Sequence, residues 1–214
     1  MDIPVARPRI LFSDPARLAA ARSWYDSNPF TASDDEGRDV NLDRALQALL
    51  SENSTIATAA KDWAMSVTTP LNGHGVSSDD ARYYGEALIC TFDWCYDAFS
   101  PSERATFISR WNAEWQFWQE AAWGGDHIGG FRGIPMYDNN YYHGYMRNSA
   151  LWAIATAGES GADIDTFLDN ALDVRWTGEL VPAAASVPSA YGSSQMGGTI
   201  VEGAQYGIYP AWYA

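Results

Sequence analysis

Between residues 78 and 99, Ala81, Tyr84, Leu88, Thr91, Phe92 and Cys95 fall at offsets of 0, 3, 7, 10, 11 and 14. That is the stripe one face of an α-helix presents, and a strand, with its period of two, cannot produce it. A helix this long has to bury its stripe against neighbouring elements, and the neighbours read as helices too. Leu42, Ala45, Leu46, Leu49 and Leu50 repeat the rhythm over 41–51. Ile56, Ala59, Ala60, Trp63 and Ala64 repeat it over 54–67. Strand-like alternation is scarce.

Start and stop signals divide the rest of the chain in the same way. Asp14-Pro15 sets an N-cap before a first-turn proline, and Leu18, Ala19, Arg22 and Trp24 continue that helix. Ser100-Pro101-Ser102-Glu103 is a capping box with proline at the first helical position. It opens a helix whose Phe107, Trp111, Trp115 and Trp118 form an aromatic stripe, suited to a core or to a platform for sugar rings. Residues 123–138 hold five Gly and one Pro and read as a long loop, the kind that carries function in compact domains. A helix resumes over 143–157, breaks between Gly158 and Gly161, and restarts behind Asp163 to about 177. Residues 181–199 are again loop. The count is about seven helices in series without a repeated motif, which excludes a solenoid array. The expected fold is all-α, one domain over 1–214, with helical hairpins packed in a ring. The chain stops at Tyr213-Ala214 without a stop signal, so the ring is expected to be incomplete, and its exposed apolar helix faces to favour self-association.

Composition narrows the partners. The chain carries 27 acidic and 13 basic residues, a net charge of −14, which argues against nucleic acid. It is mild evidence against a polyanion as well, although a few Arg can focus positive potential inside a cleft. Lys61 is the only lysine. No stretch is long and apolar enough to cross a membrane, so no membrane partner is expected. Cys90 and Cys95 stand five apart in a helix, roughly 8–9 Å between Cα atoms and too far for a disulfide, and both read as buried thiols.

Two stretches could carry chemistry. The first, Asp138-Asn139-Asn140-Tyr141-Tyr142-His143-Gly144-Tyr145-Met146-Arg147-Asn148-Ser149-Ala150-Leu151-Trp152, crowds hydrogen-bonding side chains onto the start of a helix. Free N–H groups and the helix dipole make such a terminus hospitable to anions. His143 and Arg147, four apart, share a helix face. The plainer reading makes Asn139 an N-cap and the tyrosines packing. The second stretch, Gly197-Gly198-Thr199-Ile200-Val201-Glu202-Gly203-Ala204-Gln205-Tyr206-Gly207-Ile208-Tyr209, sets Glu202, Tyr206 and Tyr209 on one helix face. Its plainer reading is a buried Tyr beside a capping Glu.

Together these stretches resemble the heparinase II/III-like and alginate lyase families of polysaccharide lyases. The Asn-Asn-Tyr-Tyr-His-Gly lead-in to an Ala/Leu-rich helix is followed some sixty residues later by Glu-Gly-Ala-Gln-Tyr-Gly-Ile-Tyr. The opening Arg-Pro-Arg-Ile-Leu-Phe-Ser-Asp-Pro-Ala-Arg-Leu is similar to the start of their α/α domains. The resemblance implies an α/α toroid, a periplasmic or secreted location, and β-elimination on a uronate-containing polysaccharide with no metal or other cofactor. It implies that Asn140, or its neighbour Asn139, neutralises the uronate carboxylate and that Tyr206 moves the proton, with Tyr209 as the alternative. His143 would assist catalysis. Arg147, Arg132, Tyr142, Glu202 and Tyr209 would bind substrate. The chain departs from the pattern in lacking a His directly after the Asn pair, and in lacking the C-terminal half of the toroid, the β-sandwich and a further His.

The chemistry is coherent. Removing the proton α to a uronate carboxylate builds enediolate-like charge, which Asn and Arg donors stabilise as an oxyanion hole does. A Tyr becomes a useful base only where nearby cations favour the phenolate. Two other readings stand beside this one. A toroid glycoside hydrolase would need two carboxylates, for which Asp126, Asp138 and Glu202 are the candidates near the motifs. A non-catalytic sugar-binding module would need neither. The three His (His74, His127, His143) lack metal-ligand spacing, with His74 and His127 in loops, and no nucleophile elbow or P-loop is present.

Overall fold

A computed structural model describes residues 3–32, 38–69, 71, 79–120 and 140–182, with the side chains of 38–40, 79–83, 119–120 and 140–143 left out. The secondary structure of the described residues is all helix, with no strand among them. The helices are α1 (Pro15–Ser27), α2 (Arg38–Ser51), α3 (Ser54–Ser66), α4 (Asp79–Trp94), α5 (Pro101–Glu120), α6 (Asn140–Thr156) and α7 (Ile164–Leu168).

The Asp14 cap acts as the sequence predicts, its carboxylate accepting from Ala16 N–H. The Asn53 side chain caps α3 as well, accepting from Thr55 and Ile56 N–H. At α5 the capping box closes in both directions. Ser100 N–H donates to Glu103 Oε2 at 2.8 Å and Glu103 N–H donates to Ser100 Oγ at 3.3 Å. The gap after α6 is made by Gly158 and Gly161, whose φ of 78° and 84° lie in the left-handed region that a Cβ disfavours.

Two boundaries differ from the periodicity. The helix expected over 78–99 ends as α-helix at Trp94 and finishes in a 3₁₀ turn, Tyr96–Ala98. Pro101 at the first position of α5 excludes the helical region for Ser100, so the chain has to leave α4 before it. Phe99 is already extended, at φ −87° and ψ 127°. The helix behind Asp163 runs past 177, but only α7 keeps α-helical bonding. Residues Asp169–Leu180 continue as a π-helix, which side-chain spacing does not signal.

The packing is two layers deep. Helices α2, α4 and α6 run parallel, side by side. Glu86 and Asp93 on α4 stand near Arg147 and Ala155 on α6, in matching order. The C-terminal ends of α2 and α4 meet around Ala45, Ala48 and Cys95. Behind this row, α5 runs antiparallel to α6. Trp118 stacks on Tyr145 at one end, and Asn112 accepts from Trp152 Nε1 further along. Helix α3 lies parallel to α5, tied by Lys61–Glu103 and by Arg110, which donates to the carbonyls of Met65 and Val67.

The aromatic stripe of α5 fills the space between the layers. Phe107, Trp111, Trp115 and Trp118 are all buried, with Phe92 stacked on Phe107 at 5.3 Å and Trp111 on Trp115 at 5.4 Å. Of the two uses open to that stripe, the fold has taken the core. Cys90 and Cys95 are free buried thiols, as their spacing predicts. Burial pushes the Cys95 thiol up to about 12 and that of Cys90 well up too, so neither serves as a nucleophile near neutral pH.

Candidate functional site

Because the row is parallel, it has two chemically distinct ends. The N-terminal ends of α4 and α6 lie together at one, and the C-terminal ends of α2, α4 and α6 at the other. The Asn-Tyr-Tyr-His stretch forms the first turn of α6, so it opens onto the first end.

Beneath that turn lies a buried layer. Arg147 is 1% exposed, and its Nη1 donates to Glu86 Oε2 at 2.6 Å. Its Nε donates to Asn148 Oδ1 at 3.1 Å. The pair crosses from α6 to α4, where Gly85 lets the helices close. A Cβ there would collide with the Asn148 side-chain amide and lie 2.9 Å from the Trp115 ring. Glu114 on α5 completes the layer. Its Oε1 accepts from Leu71 N–H at 2.7 Å and from Trp118 Nε1 at 2.9 Å. Burial raises the Glu114 carboxyl against the pull of those two donors.

Of the residues given a catalytic or substrate-binding role, Arg147 is the one whose side chain is described. It faces Glu86 and Asn148 rather than solvent. Asn140, Tyr142 and His143 belong to the first turn of α6, but their side chains fall outside the description. Asn139, Arg132, Glu202, Tyr206 and Tyr209 lie outside the described residues, as do Asp126 and Asp138. Sequence reading missed Glu86 and Glu114, and gave Asn148 no role within the first stretch. A signal existed for Glu86, a lone acid inside the most apolar stretch of α4. None existed for Glu114, whose partners sit on distant segments.

The opposite end is built differently. Arg7 Nη1 donates to Asp93 Oδ1 at 2.8 Å, and its Nη2 donates to Ala155 O at 2.7 Å and to Glu159 at 3.2 Å. Asp93 also accepts from the backbone N–H groups of Arg9 and Ile10, both at 2.8 Å. Arg9 Nη1 caps the C-terminus of α6 through the carbonyls of Ile154, Ala155 and Ala157. Guanidinium groups suit this place, since carbonyls and the negative helix dipole end gather there. The Arg-Pro-Arg-Ile-Leu segment is therefore a latch tying α4 to α6.

An open cavity of about 530 Å³ lies beside the latch, between the C-terminal ends of α2 and α4. Its lining offers little for recognition. Arg22 is paired with Glu52, and Arg7 is committed to the latch. The Tyr96 ring carries the guanidinium groups of Arg7 at 3.9 Å and Arg104 at 4.2 Å. Size alone does not make this the site.

Among the described residues no group of three or more His, Cys, Asp or Glu could hold a metal ion, and no helix could cross a membrane. No family model, curated protein or solved structure matches the chain.

Proposed function

We propose that this chain is a polysaccharide lyase of the α/α-toroid kind, cleaving a uronate-containing polymer by β-elimination at the N-terminal end of the α2–α4–α6 row. The observation that carries this reading is the start of α6. A turn bearing Asn140, Tyr142 and His143 opens the helix, above a buried Arg147–Glu86 pair. That end favours an anion by the helix dipole, while Glu86 neutralises the one described cation beneath it.

Two further features support the reading. A parallel inner row backed by an antiparallel outer layer is the arrangement that successive hairpins of a toroid require. The resemblance of the two motifs supplies the roles. Asn140, with Asn139, donates to the substrate carboxylate as enediolate charge builds, and Tyr206 takes the α-proton and returns a proton to the leaving sugar oxygen. Arg147 acts as a positioning residue, holding the first turns of α6 against α4.

The test is ultraviolet absorbance over time on a panel of uronate polymers, watching for the conjugated double bond that elimination leaves. A rise lost in Asn140→Ala and Tyr206→Phe supports the assignment. Release of reducing sugar without a double bond replaces it with a toroid hydrolase.

A further inference from the structure

The π-helix Asp169–Leu180 is 12 residues long and packs against α6. Helices of this kind occur mostly as single-turn bulges within α-helices, often at functional sites. A run this long competes along its whole length with the α register. The backbone at both ends is compatible with either. Leu168, Asp169 and Val181 keep ordinary right-handed helical angles, and α7 holds α-helical bonding immediately before the run.

The side chains also fit both registers. Phe167 and Ala171 are buried, and Leu180 packs against the same core, whereas Val174 is 46% exposed. Ala171 and Leu180 stand nine apart, about two of the wide π turns, so they share a face. In an α-helix of about 3.6 residues per turn, nine residues make two and a half turns, and Leu180 would swing to the opposite side. Val174 would take its place, because Phe167, Ala171 and Val174 fall at the α-helical offsets of 0, 4 and 7. Arg175 and Glu179, paired at 3.1 Å and four apart, stay neighbours in both registers. Gly178 weights the choice. A Cβ there would lie 3.0 Å from Asp173 O, the carbonyl five residues back that a π-helix bonds. Glycine relieves that approach, while in an α-helix it is among the least favourable residues.

We propose that Asp169–Leu180 is a two-register switch on the flank of α6. It rewinds from π to α, exchanging Leu180 for Val174 against the core and turning Val181 and the chain attached to it, and Gly178 holds the balance toward π. Thiol labelling of the full chain tests this, with Val174→Cys or Leu180→Cys as the probe. The native Cys90 and Cys95, both buried, report global unfolding in the same trace. Gly178 is exposed, so Gly178→Ala leaves the core intact. It should speed labelling of Leu180→Cys by about fivefold or more, while Val174→Cys holds or slows and the native thiols do not change. Adding Val174→Asp should return Leu180→Cys to its slow rate, since the α register would then bury a carboxylate. A Leu180→Cys rate that Gly178→Ala leaves unchanged or slows overturns the switch. So does a rise that Val174→Cys shares, or one that Val174→Asp fails to reverse.

Discussion

The two ends of the parallel helix row solve the same problem with opposite chemistry. At the C-terminal end, Arg7 and Arg9 meet exposed carbonyls and the buried Asp93, and the donors find acceptors within the chain. At the N-terminal end the one described guanidinium is turned inward to Glu86, and the helix opens with Asn, Tyr and His. A latch consumes its own charges. The contrast shows why the open cavity beside the latch is the weaker candidate.

The sharpest way to break the contrast is to cut the latch. Asp93→Ala takes the acceptor from Arg7 Nη1 and from two buried backbone N–H groups, leaving Arg7 only Ala155 O and Glu159, and should cost about 3–5 kcal/mol in urea denaturation. A loss under about 1 kcal/mol would mean that the latch is not holding α4 to α6. The next variant, Gly85→Ala, strikes the crossing at the other end. Ala gains up to about 1 kcal/mol of helix propensity, whereas overpacking Asn148 and Trp115 costs about 1–3 kcal/mol. Overpacking should win, with a net loss of about 1–2 kcal/mol and reduced turnover from a displaced α6. A variant more stable than the parent would show that the helices do not meet there.

Two smaller effects sharpen the picture through pH. Glu114 has its folded pKa raised by burial, so its contribution is fully present below the unfolded value and is lost as pH rises through the folded one. Glu114→Gln can keep both hydrogen bonds, because both fall on Oε1. It should match the parent in acid and exceed it near neutrality, by about 1 kcal/mol. Glu103 runs the other way. The Ser100 N–H and Lys61 hold its carboxyl down at about 2, so its contribution is present above the ordinary carboxylate range and disappears as pH falls through about 2. Glu103→Ala should cost about 1 kcal/mol at neutral pH and flatten the acid limb of the stability curve.

Much of this architecture could be read from side-chain spacing alone. The stripe of α4, the capping box of α5 and the glycine break after α6 are local signals, and the chain folds where they point. The early end of α4 was legible too, in Pro101, once the proline is given weight over the periodicity. The register of Asp169–Leu180 was not, because α- and π-helices share their side-chain preferences. The site was legible only in part. Asn140 and His143 announce a polar helix start, but the role of Arg147 depends on Glu86, 61 positions earlier by subtraction of their numbers. Long-range pairs of this kind leave no trace in spacing. Neither did the latch, whose Arg7 and Asp93 lie 86 residues apart.

The measurement that tests the central claim most directly is the ultraviolet progress curve on a uronate polymer, run in parallel for the parent chain, Asn140→Ala and Arg104→Ala. Arg104 belongs to the opposite end, stacked over Tyr96 beside the cavity. The account predicts a rising curve for the parent, a fall of about 10²-fold or more for Asn140→Ala, and little change for Arg104→Ala. A folded Asn140→Ala chain that keeps full activity while Arg104→Ala loses it would move the chemistry to the other end of the row and contradict the account.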